Sequence, residues 1–413
     1  MSFIDQLILT SNKPDKAKAF ADFKDIGIPT TRNEEWKFTN IARVLKNDFS
    51  TLKPSITQED IKSIINDDLE GNKIIIINGI YQDGMSQIIS DNIHIESIKT
   101  ALTSNSIAKT YYGKSLKNKD AFTSLNFAFS EDGFFIHIEK NKTVSDNTIV
   151  YFISDARKQN IISYPHNLIV AEENSEANIT MIYRTIGENK SFINELTEIS
   201  IAKNARLNYY KIQNDNNQAS QVGTTQVTQA EKSFCYANVF STSGEIIRNN
   251  LNITLNGEYI ESHMNGLYML EGNTHVDNHT IADHKFPNCE SHELYKGIMD
   301  DKSNGVFNGK IFVRQDAQKT NAFQANNNIL LSDSAKINAK PQLEIWADDV
   351  SCSHGCTIGQ LDSEALFYLQ SRGVSANKAK ALLVEAFANQ VVEKIKISDL
   401  QENIKKTITN RLA

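Results

Sequence analysis

Two thiols and one imidazole lie close together near the carboxyl end of the sequence, at Cys352, His354 and Cys356. They follow residues 343–346, a run in which apolar and polar residues alternate, so we predict an extended conformation here. Residues two apart in a strand share a face, which would place all three donors on one side. Thiolate and imidazole suit iron–sulfur species, zinc or copper(I). Three ligands on one strand favour an open site that another subunit completes.

The same spacing also fits an inert arrangement. Cys352 and Cys356 would then be core thiols, and His354 a hydrogen-bonded turn residue. Buried cysteine is common in folded proteins, so spacing alone favours this second interpretation slightly and excludes neither.

A second group of donors contains four of the nine histidines and one of the four cysteines within eighteen residues. Its spacings match none of the standard zinc patterns. Donors that are close in sequence form a site only if the fold brings their side chains together. Stacked histidines in the turns of a repetitive fold are the simpler explanation, and an independent metal site is the alternative. The members are His275, His279, His284, Cys289 and His292.

No catalytic motif accounts for the chain. Residues 305–311, GVFNGKI, resemble a phosphate-binding loop, but one residue is missing between the glycines and Ile311 occupies the place of the magnesium-binding Ser or Thr. No G-x-S-x-G nucleophile motif occurs. Glu34 and Glu35, beside Trp36, are better interpreted as a packed domain edge than as an acid/base pair. We therefore expect a protein that is not an enzyme.

The overall charge is mildly acidic, because 43 basic residues face 50 acidic ones and give a net charge of −7. This predicts neither nucleic-acid binding nor membrane attachment through basic residues. Residues 1–10 carry an early acid and no basic segment, which argues against a signal peptide. We expect a cytoplasmic protein that keeps its four cysteines as thiols.

The pattern of the chain predicts three regions. Helices near 15–24 and 57–66 and a buried strand at 73–78 indicate a mixed, mostly helical domain over residues 1–120. Short alternating runs without helical periodicity then predict a β domain over residues 121–357, either a sandwich, a barrel or a solenoid. Asparagines at turn-like positions such as 249–250 and 326–328 favour the solenoid, whose stacked coils allow side-chain ladders.

Residues 358–413 are predicted to be helical. One helix begins near Leu361, with Leu366, Phe367 and Leu369 buried, and ends before Gly373. A longer amphipathic helix follows Ser375. Its expected apolar stripe consists of Ala379, Leu382, Leu383, Ala386, Phe387 and Val391.

From position 305 onward the sequence resembles the core of the SufB/SufD family of iron–sulfur cluster assembly scaffolds. Weaker similarity extends upstream, to His284 with Ser291, to residues 194–198, and to Pro29 with Glu34–Trp36. The dense matches are GVFNGKI (305–311), QDAQKTNA (315–322), ILLS (329–332), PQLEIWADDVSCSHG (341–355) and LFYLQSRG (366–373).

Two departures distinguish the branches of this family. The SufB-like pattern has a cysteine just before the apolar pair near Leu330, where this sequence has asparagines at 326–328. SufB-like chains also carry a His-Glu pair where this chain has Ser353-His354-Gly355. The resemblance is therefore to the SufD branch.

The resemblance implies a right-handed parallel β-helix between helical N- and C-terminal domains. It implies a heterodimer with SufB through the β-helix and an ATPase, SufC, bound by the C-terminal helices, with Phe387 and its helix nearby. It further implies that His354 helps to hold a nascent, transient iron–sulfur cluster at the SufB interface, with Cys352 as a possible second ligand. No cofactor would stay bound to the chain alone, and an isolated chain could form a homodimer. Cys356 departs from the family pattern, so its role stays open.

Overall fold

The computed structural model describes residues 7, 9, 11, 13–53, 55–65, 67–116 and 120–412. Most of residues 1–10, on which the argument against a signal peptide depends, lie outside these ranges, as does Asn66 of the second predicted helix. Within the described part, no helix is long and apolar enough to cross a membrane.

The helices lie at the two ends of the chain. Short 3₁₀ turns occur at Glu34–Trp36 and Asp83–Met85. The α-helices are α1 (Pro14–Ile26), α2 (Ala42–Leu45), α3 (Gln58–Ile64), α4 (Ile98–Ser104), α5 (Ser106–Tyr111), α6 (Ala121–Phe129), α7 (Ser363–Ser371), α8 (Ala376–Val392) and α9 (Ser398–Leu412).

Between α6 and α7 the chain consists of strands without an intervening helix, as the alternating pattern predicts, whereas three further strands lie among the N-terminal helices. The strands are β1 (Asn72–Ile77), β2 (Ile80–Tyr81), β3 (Ile93–Ser97), β4 (Phe134–Ile138), β5 (Thr143–Asp155), β6 (Ile161–Ser163), β7 (His166–Ala171), β8 (Glu176–Ile186), β9 (Ser191–Ile201), β10 (Arg206–Asn214), β11 (Ala219–Gln229), β12 (Phe234–Ser243), β13 (Ile246–Leu255), β14 (Glu261–Leu270), β15 (His275–His284), β16 (Glu290–Met299), β17 (Asn304–Val313), β18 (Thr320–Leu330), β19 (Lys336–Ile345) and β20 (Val350–Gly359).

Successive strands alternate between two sheets and form a parallel β-solenoid. The first sheet has the order β2-β1-β5-β8-β10-β12-β14-β16-β18-β20, and the second has β19-β17-β15-β13-β11-β9-β7-β4-β3, with β6 beside β9. From β8 onward each strand pairs in parallel with the strand two places later. The predicted fold class, mainly β with a parallel solenoid between helical ends, is confirmed.

Asparagine ladders support the stack, both in turns and within strands, where Asn249 donates to Asn278 of the next coil at 3.1 Å. Asn141, Asn174 and Asn204 occupy turns with φ of 61°, 58° and 57°. Their amides are linked at 2.7 and 3.0 Å from one coil to the next. Residues 249–250 and 326–328 lie within β13 and β18, so their assignment to turns was wrong. Asparagine tolerates the left-handed conformation, which explains its choice at these turns.

The N-terminal region contributes strands as well as helices. Strand β1 adds to the first sheet in parallel with β5, and β3 pairs antiparallel with β4. The domain boundaries at residues 120 and 357 stay a prediction.

A short segment of this region, Glu34–Thr39, crosses the outer face of the second sheet; we call it the strap. The indole of Trp36 lies 3.9 Å from the guanidinium of Arg248, which forms a 2.7 Å ion pair with Asp277. Glu35 accepts hydrogen bonds from Asn308 at 3.2 Å and from Lys310 at 2.6 Å. Glu34 pairs with Lys340 on the last strand of this sheet. These carboxylates are therefore structural, as the interpretation of a packed edge implies.

Helices α8 and α9 pack on the outer face of the first sheet through apolar residues that include Val384, Val391 and Ile404. Leu382 is exposed instead of lying on the buried stripe. No residue of α7 is buried, so the predicted burial of Leu366, Phe367 and Leu369 is wrong. The phenylalanine ring is 73% exposed. The helical pattern predicted the helix correctly but could not show what covers its apolar face. Such a face can be buried against the rest of the same chain or against another protein.

The strap generates a prediction about stability. Replacing Arg248 with Met removes the guanidinium from the buried Asp277 and leaves His279, at 2.9 Å, as its ion-pair partner, with His275 nearby. Breaking a buried pair on one side costs roughly 3 kcal/mol. We expect about this loss in the free energy of unfolding at pH 7, measured by denaturant titration.

The control is Arg43→Met, because the Arg43 side chain is 61% exposed and Glu245 keeps its 2.6 Å ion pair with Lys190, so the loss should be less than about 1 kcal/mol. Burial alone would raise the pKa of Asp277, but the charges of His279 and Arg248 hold it below its usual value. The stabilisation is therefore present above the unfolded-state pKa and is lost as the pH falls through the folded one. The difference between wild type and Arg248→Met should shrink in acid, and equal losses for both variants at pH 7 would contradict the assignment.

Candidate functional site at the open end of the solenoid

The three donors of the first motif lie on β20, the last strand of the first sheet. Cys352, His354 and Cys356 are paired in register with Ala322, Gln324 and Asn326 of β18. These β18 residues point into the solenoid, where they are buried. Side chains in register on neighbouring parallel strands project to the same face, so the three donors also face the interior. The extended conformation and the shared face are both as predicted.

These donors remain accessible because β20 has no strand beyond it in the sheet order. Cys352 is half-buried against the apolar core, while His354 and Cys356 are exposed. Partial burial raises the pKa of both thiols, so they are mainly protonated at neutral pH. A donor set at the end of a stack can be shared with whatever covers that end.

Polar side chains form the floor beneath the donors. Below Cys356, the buried Asn326 lies 3.8 Å from the thiol and donates to Tyr268 Oη at 3.0 Å. Asn328 donates to the Asn326 side chain at 2.7 Å and accepts from Tyr268 at 2.5 Å. A Cβ at Gly297 would lie 2.5 Å from the Tyr268 ring, so this glycine makes room for the phenol. Below His354, the floor consists of Gln324 and Glu293.

Apolar residues surround the same end. Ile345 and Trp346, at the end of β19, and Ile358, on β20, are exposed by 38%, 49% and 52%. Both β19 and β20 are edge strands, so each has a row of backbone N–H and C=O groups that no neighbouring strand pairs. We call this surface, consisting of β19, β20 and Trp346, the open end. Exposed apolar rings beside unpaired strand edges are typical of a protein–protein contact.

The second donor group does not converge. His275 and His279 face outward from β15 towards the strap, where His275 contacts Thr39 at 2.8 Å and His279 approaches Glu35 at 3.4 Å. The hydrogen bond from His279, together with Lys310, lowers the pKa of Glu35 to about 2. These two histidines therefore hold the strap.

The other three members lie elsewhere. His284 is inside the solenoid, 2.8 Å from Ser291 Oγ, and burial lowers its pKa to about 4. Cys289 is a core thiol. His292 is on the outer face of the first sheet and stacks between His263 and Phe323, at 5.0 and 5.5 Å. Among the residues that the structure describes, no group of three or more His, Cys, Asp or Glu is placed to hold a metal ion.

Sequence reasoning missed the floor and the exposed face of α7. Glu293 and Gln324 belong to alternating strands, and alternation shows that two faces exist without showing which is inside. Glu293 is an unusual residue for the interior, but its position there can be recognised only once the register of β16 with its neighbouring strands is known.

Comparison with known proteins agrees with the fold. The family profile described as "SUF system FeS cluster assembly, SufBD core domain" matches residues 152–387, and the SufBD N-terminal region profile matches residues 6–150. The chain belongs to the SufB/SufD family. Its relatives are iron–sulfur cluster assembly proteins, and the family resemblance drawn from the motifs is confirmed.

Relatives of the SufB/SufD family match nearly the whole chain. The SufD protein of Escherichia coli is 27% identical over 98% of this chain and 94% of its own length. An iron–sulfur cluster assembly SufBD family protein of Synechocystis is 28% identical over 93% and 87%. SufD of Bacillus subtilis is 24% identical over 96% and 93%.

The open end generates a prediction about thiol reactivity. Iodoacetamide should modify Cys356 first and Cys352 more slowly, because the second thiol is half-buried. Burial raises the pKa of Cys235 to about 12, so this core thiol should react only after unfolding. Peptide mass spectrometry over pH 7–10 gives the order, and both open-end rates should increase as the pH approaches their raised pKa values.

Cys289, also buried, is the internal control. Modification of Cys235 or Cys289 at the rate of Cys356 in the native protein would contradict the described packing. Protection of Cys352 and Cys356 that increases with protein concentration would indicate that open ends pair with each other.

Proposed function

We propose that this chain is the SufD-like, non-catalytic subunit of an iron–sulfur cluster assembly scaffold. It pairs with a SufB-like subunit through the open end and binds the ATPase SufC through its C-terminal helices. The observation that carries the proposal is the placement of His354 at the centre of an uncovered solenoid end with an apolar rim. Full-length similarity to two SufD proteins supports the choice of subunit.

Pairing through the open end follows from the unpaired edges of β19 and β20. A second solenoid could continue one or both sheets, so that its backbone groups take the place of the missing coil. The apolar surface of Ile345, Trp346 and Ile358 would be buried in the same contact. When the partner is absent, two copies of this chain could satisfy the same edges and form a homodimer.

Within this contact His354 would be a ligand to a nascent cluster, with Cys352 as a possible second donor. Iron and sulfide are cargo in this proposal, held transiently and passed on. Neutral imidazole is an established ligand of iron–sulfur species and exchanges protons near neutral pH. The remaining ligands would come from the partner, because one strand cannot surround a cluster. No role is assigned to Cys356.

The C-terminal helices offer a second surface. Phe367 and Tyr368 of α7 are exposed by 73% and 58%, whereas Phe387 of α8 already packs against Lys296 at 4.0 Å. Exposed aromatic side chains are typical of an interface, and here Arg372 lies near one of them, 5.3 Å from the Tyr368 ring. We therefore assign the ATPase contact to α7 and its junction with α8. Four free thiols in the described chain are compatible with the proposed cytoplasmic location.

An independent metal-binding protein is the weaker alternative, because His275, His279, His284, Cys289 and His292 occupy separate surfaces. A third possibility is a solenoid that only joins partners and has no metal role. It predicts normal iron and sulfide in variants of the open-end donors.

The ligand role of His354 predicts loss of cargo without loss of the complex. The chain is co-expressed with SufB-like and SufC-like partners from one source, purified anaerobically, and analysed for iron and acid-labile sulfide. His354→Ala should keep the subunit ratio and lower both contents by roughly tenfold or more. The control is His292→Ala, a partly exposed histidine on the outer face of the first sheet.

Normal iron and sulfide in a Cys352→Ala/His354→Ala double variant would contradict the ligand role. This result would favour a solenoid that only joins partners. Tight stoichiometric metal in the isolated chain, lost in His275→Ala/His279→Ala, would instead favour the independent site.

The α7 surface predicts a separable defect. Phe367→Ser/Tyr368→Ser should abolish co-purification of the ATPase while the SufB-like partner is retained, because the changed side chains bury nothing in the free chain. Tyr259→Ser/Phe286→Ser is the control, since both rings are exposed on turns of the solenoid. Retention of the ATPase at the wild-type ratio would refute the assignment, and a shifted melting temperature would show that α7 has a structural role instead.

A further inference from the structure

The floor beneath His354 is a buried polar pair. Glu293 of β16, Gln324 of β18 and His354 of β20 occupy successive rungs of the first sheet and face the interior. Glu293 is 4% exposed and Gln324 is 3% exposed. Gln324 Nε2 donates to Glu293 Oε2 at 2.6 Å. The pair therefore lies directly behind the proposed ligand, in the same column of side chains.

Burial of this polar pair lowers the stability of the folded protein. No ion pair of the described residues involves Glu293, and burial raises the pKa of its carboxyl to about 7. Glu293 Oε1 and Gln324 Oε1 are both buried with no partner at full hydrogen-bond distance, although the Thr280 hydroxyl lies close enough to the carboxyl to lower its pKa. Unpaired polar atoms destabilise a protein, and an apolar pair would fit the surrounding core better. The unpaired Gln324 Oε1 is therefore available to a donor that reaches it from the open end.

The opposite sheet is shaped around the amide. A Cβ at Gly309 of β17 would lie 2.2 Å from Gln324 Nε2 and 2.9 Å from its Cδ. A side chain at position 309 would therefore force the amide to shift, together with the Phe307 ring, which lies 2.7 Å from the same point. Gly355 on β20 has nothing within 4 Å of the corresponding point, so it offers a glycine without this constraint.

The bond to Glu293 fixes which end of the amide is free. Because Nε2 is engaged, the buried atom left without a partner is Oε1, an acceptor. A neutral imidazole that binds a metal through one nitrogen has an N–H on the other, and this N–H normally donates to a fixed acceptor. The rung above this acceptor is occupied by His354.

We propose that Gln324, held by Glu293, is a positioning residue that accepts the ring N–H of His354 when the open end is covered, so that the other ring nitrogen faces the cargo. This inference rests on the proposed ligand role of His354 and adds the group that sets its tautomer. Gln324 acts only through the imidazole and touches no cargo itself.

The test is a double-mutant cycle in the three-subunit complex, with iron and sulfide content as the first readout. Gln324→Met keeps the length of the side chain and removes the acceptor, and it should lower the content roughly tenfold. In a His354→Cys background the same change should have less than about a twofold effect, because a thiolate ligand has no N–H to orient. Gly309→Ala should reproduce the Gln324→Met defect, and Gly355→Ala should not.

Gln213→Met is the control for removing a buried amide, since Gln213 bonds to Gln221 and Asn249 in the middle of the solenoid. An equal loss with Gln213→Met, or equal losses in the His354 and His354→Cys backgrounds, would reduce Gln324 to a structural role.

A second readout is the tautomer of His354 in the complex with the SufB-like partner. Selective ¹⁵N-histidine labelling resolves the two ring nitrogens, and His354→Ala identifies the signals. One neutral tautomer is expected in the wild type, and a mixture in Gln324→Met. The same tautomer distribution in both proteins overturns the inference whatever the iron content. Unchanged cargo in His354→Ala overturns the proposed function itself, whereas loss in His354→Ala with full cargo in Gln324→Met overturns only the positioning role.

Discussion

Backbone pairing between successive parallel coils is the constraint on which this structure depends. Each strand satisfies its hydrogen-bonding groups only if a strand lies on either side, so every coil supports the next. At the start of the solenoid, β2 and β3 end the two sheets, each paired antiparallel with its single neighbour. At the other end β19 and β20 have neighbours on one side only. The candidate donors Cys352, His354 and Cys356 lie at this second end, where the parallel stack stops.

Much of this could be predicted from the sequence. The helices, the uninterrupted series of strands and the shared face of Cys352, His354 and Cys356 follow from local periodicity, which is a property of the backbone. Local periodicity does not reveal what lies opposite a face. For this reason Phe367 was expected to be buried, and the interior position of Glu293 could not be predicted. Both depend on contacts between residues that are far apart in the chain.

The two groups of donors both show that spacing in the sequence alone does not decide which side chains meet. The histidines between positions 275 and 292 are dense in sequence, yet alternation and the change of sheet at each turn separate them. The donors on β20 are as close together, and they share a face because all lie two residues apart on one strand. In a solenoid, neighbouring donors share a face when they lie on one strand and are an even number of residues apart. How densely they occur in the sequence does not decide this.

The strap gives the uncovered coil an additional hold. It contacts β13 through Arg248, β17 through Lys310 and β19 through Lys340, so one segment is tied to coils at increasing distance from the middle of the stack. Terminal coils of a solenoid tend to fray, because each lacks half of its neighbours. By fastening the last strand of the second sheet to interior coils, the strap limits this fraying and stiffens the open end. In the proposed pairing, a partner would meet a surface that is already ordered, and association would cost less conformational entropy.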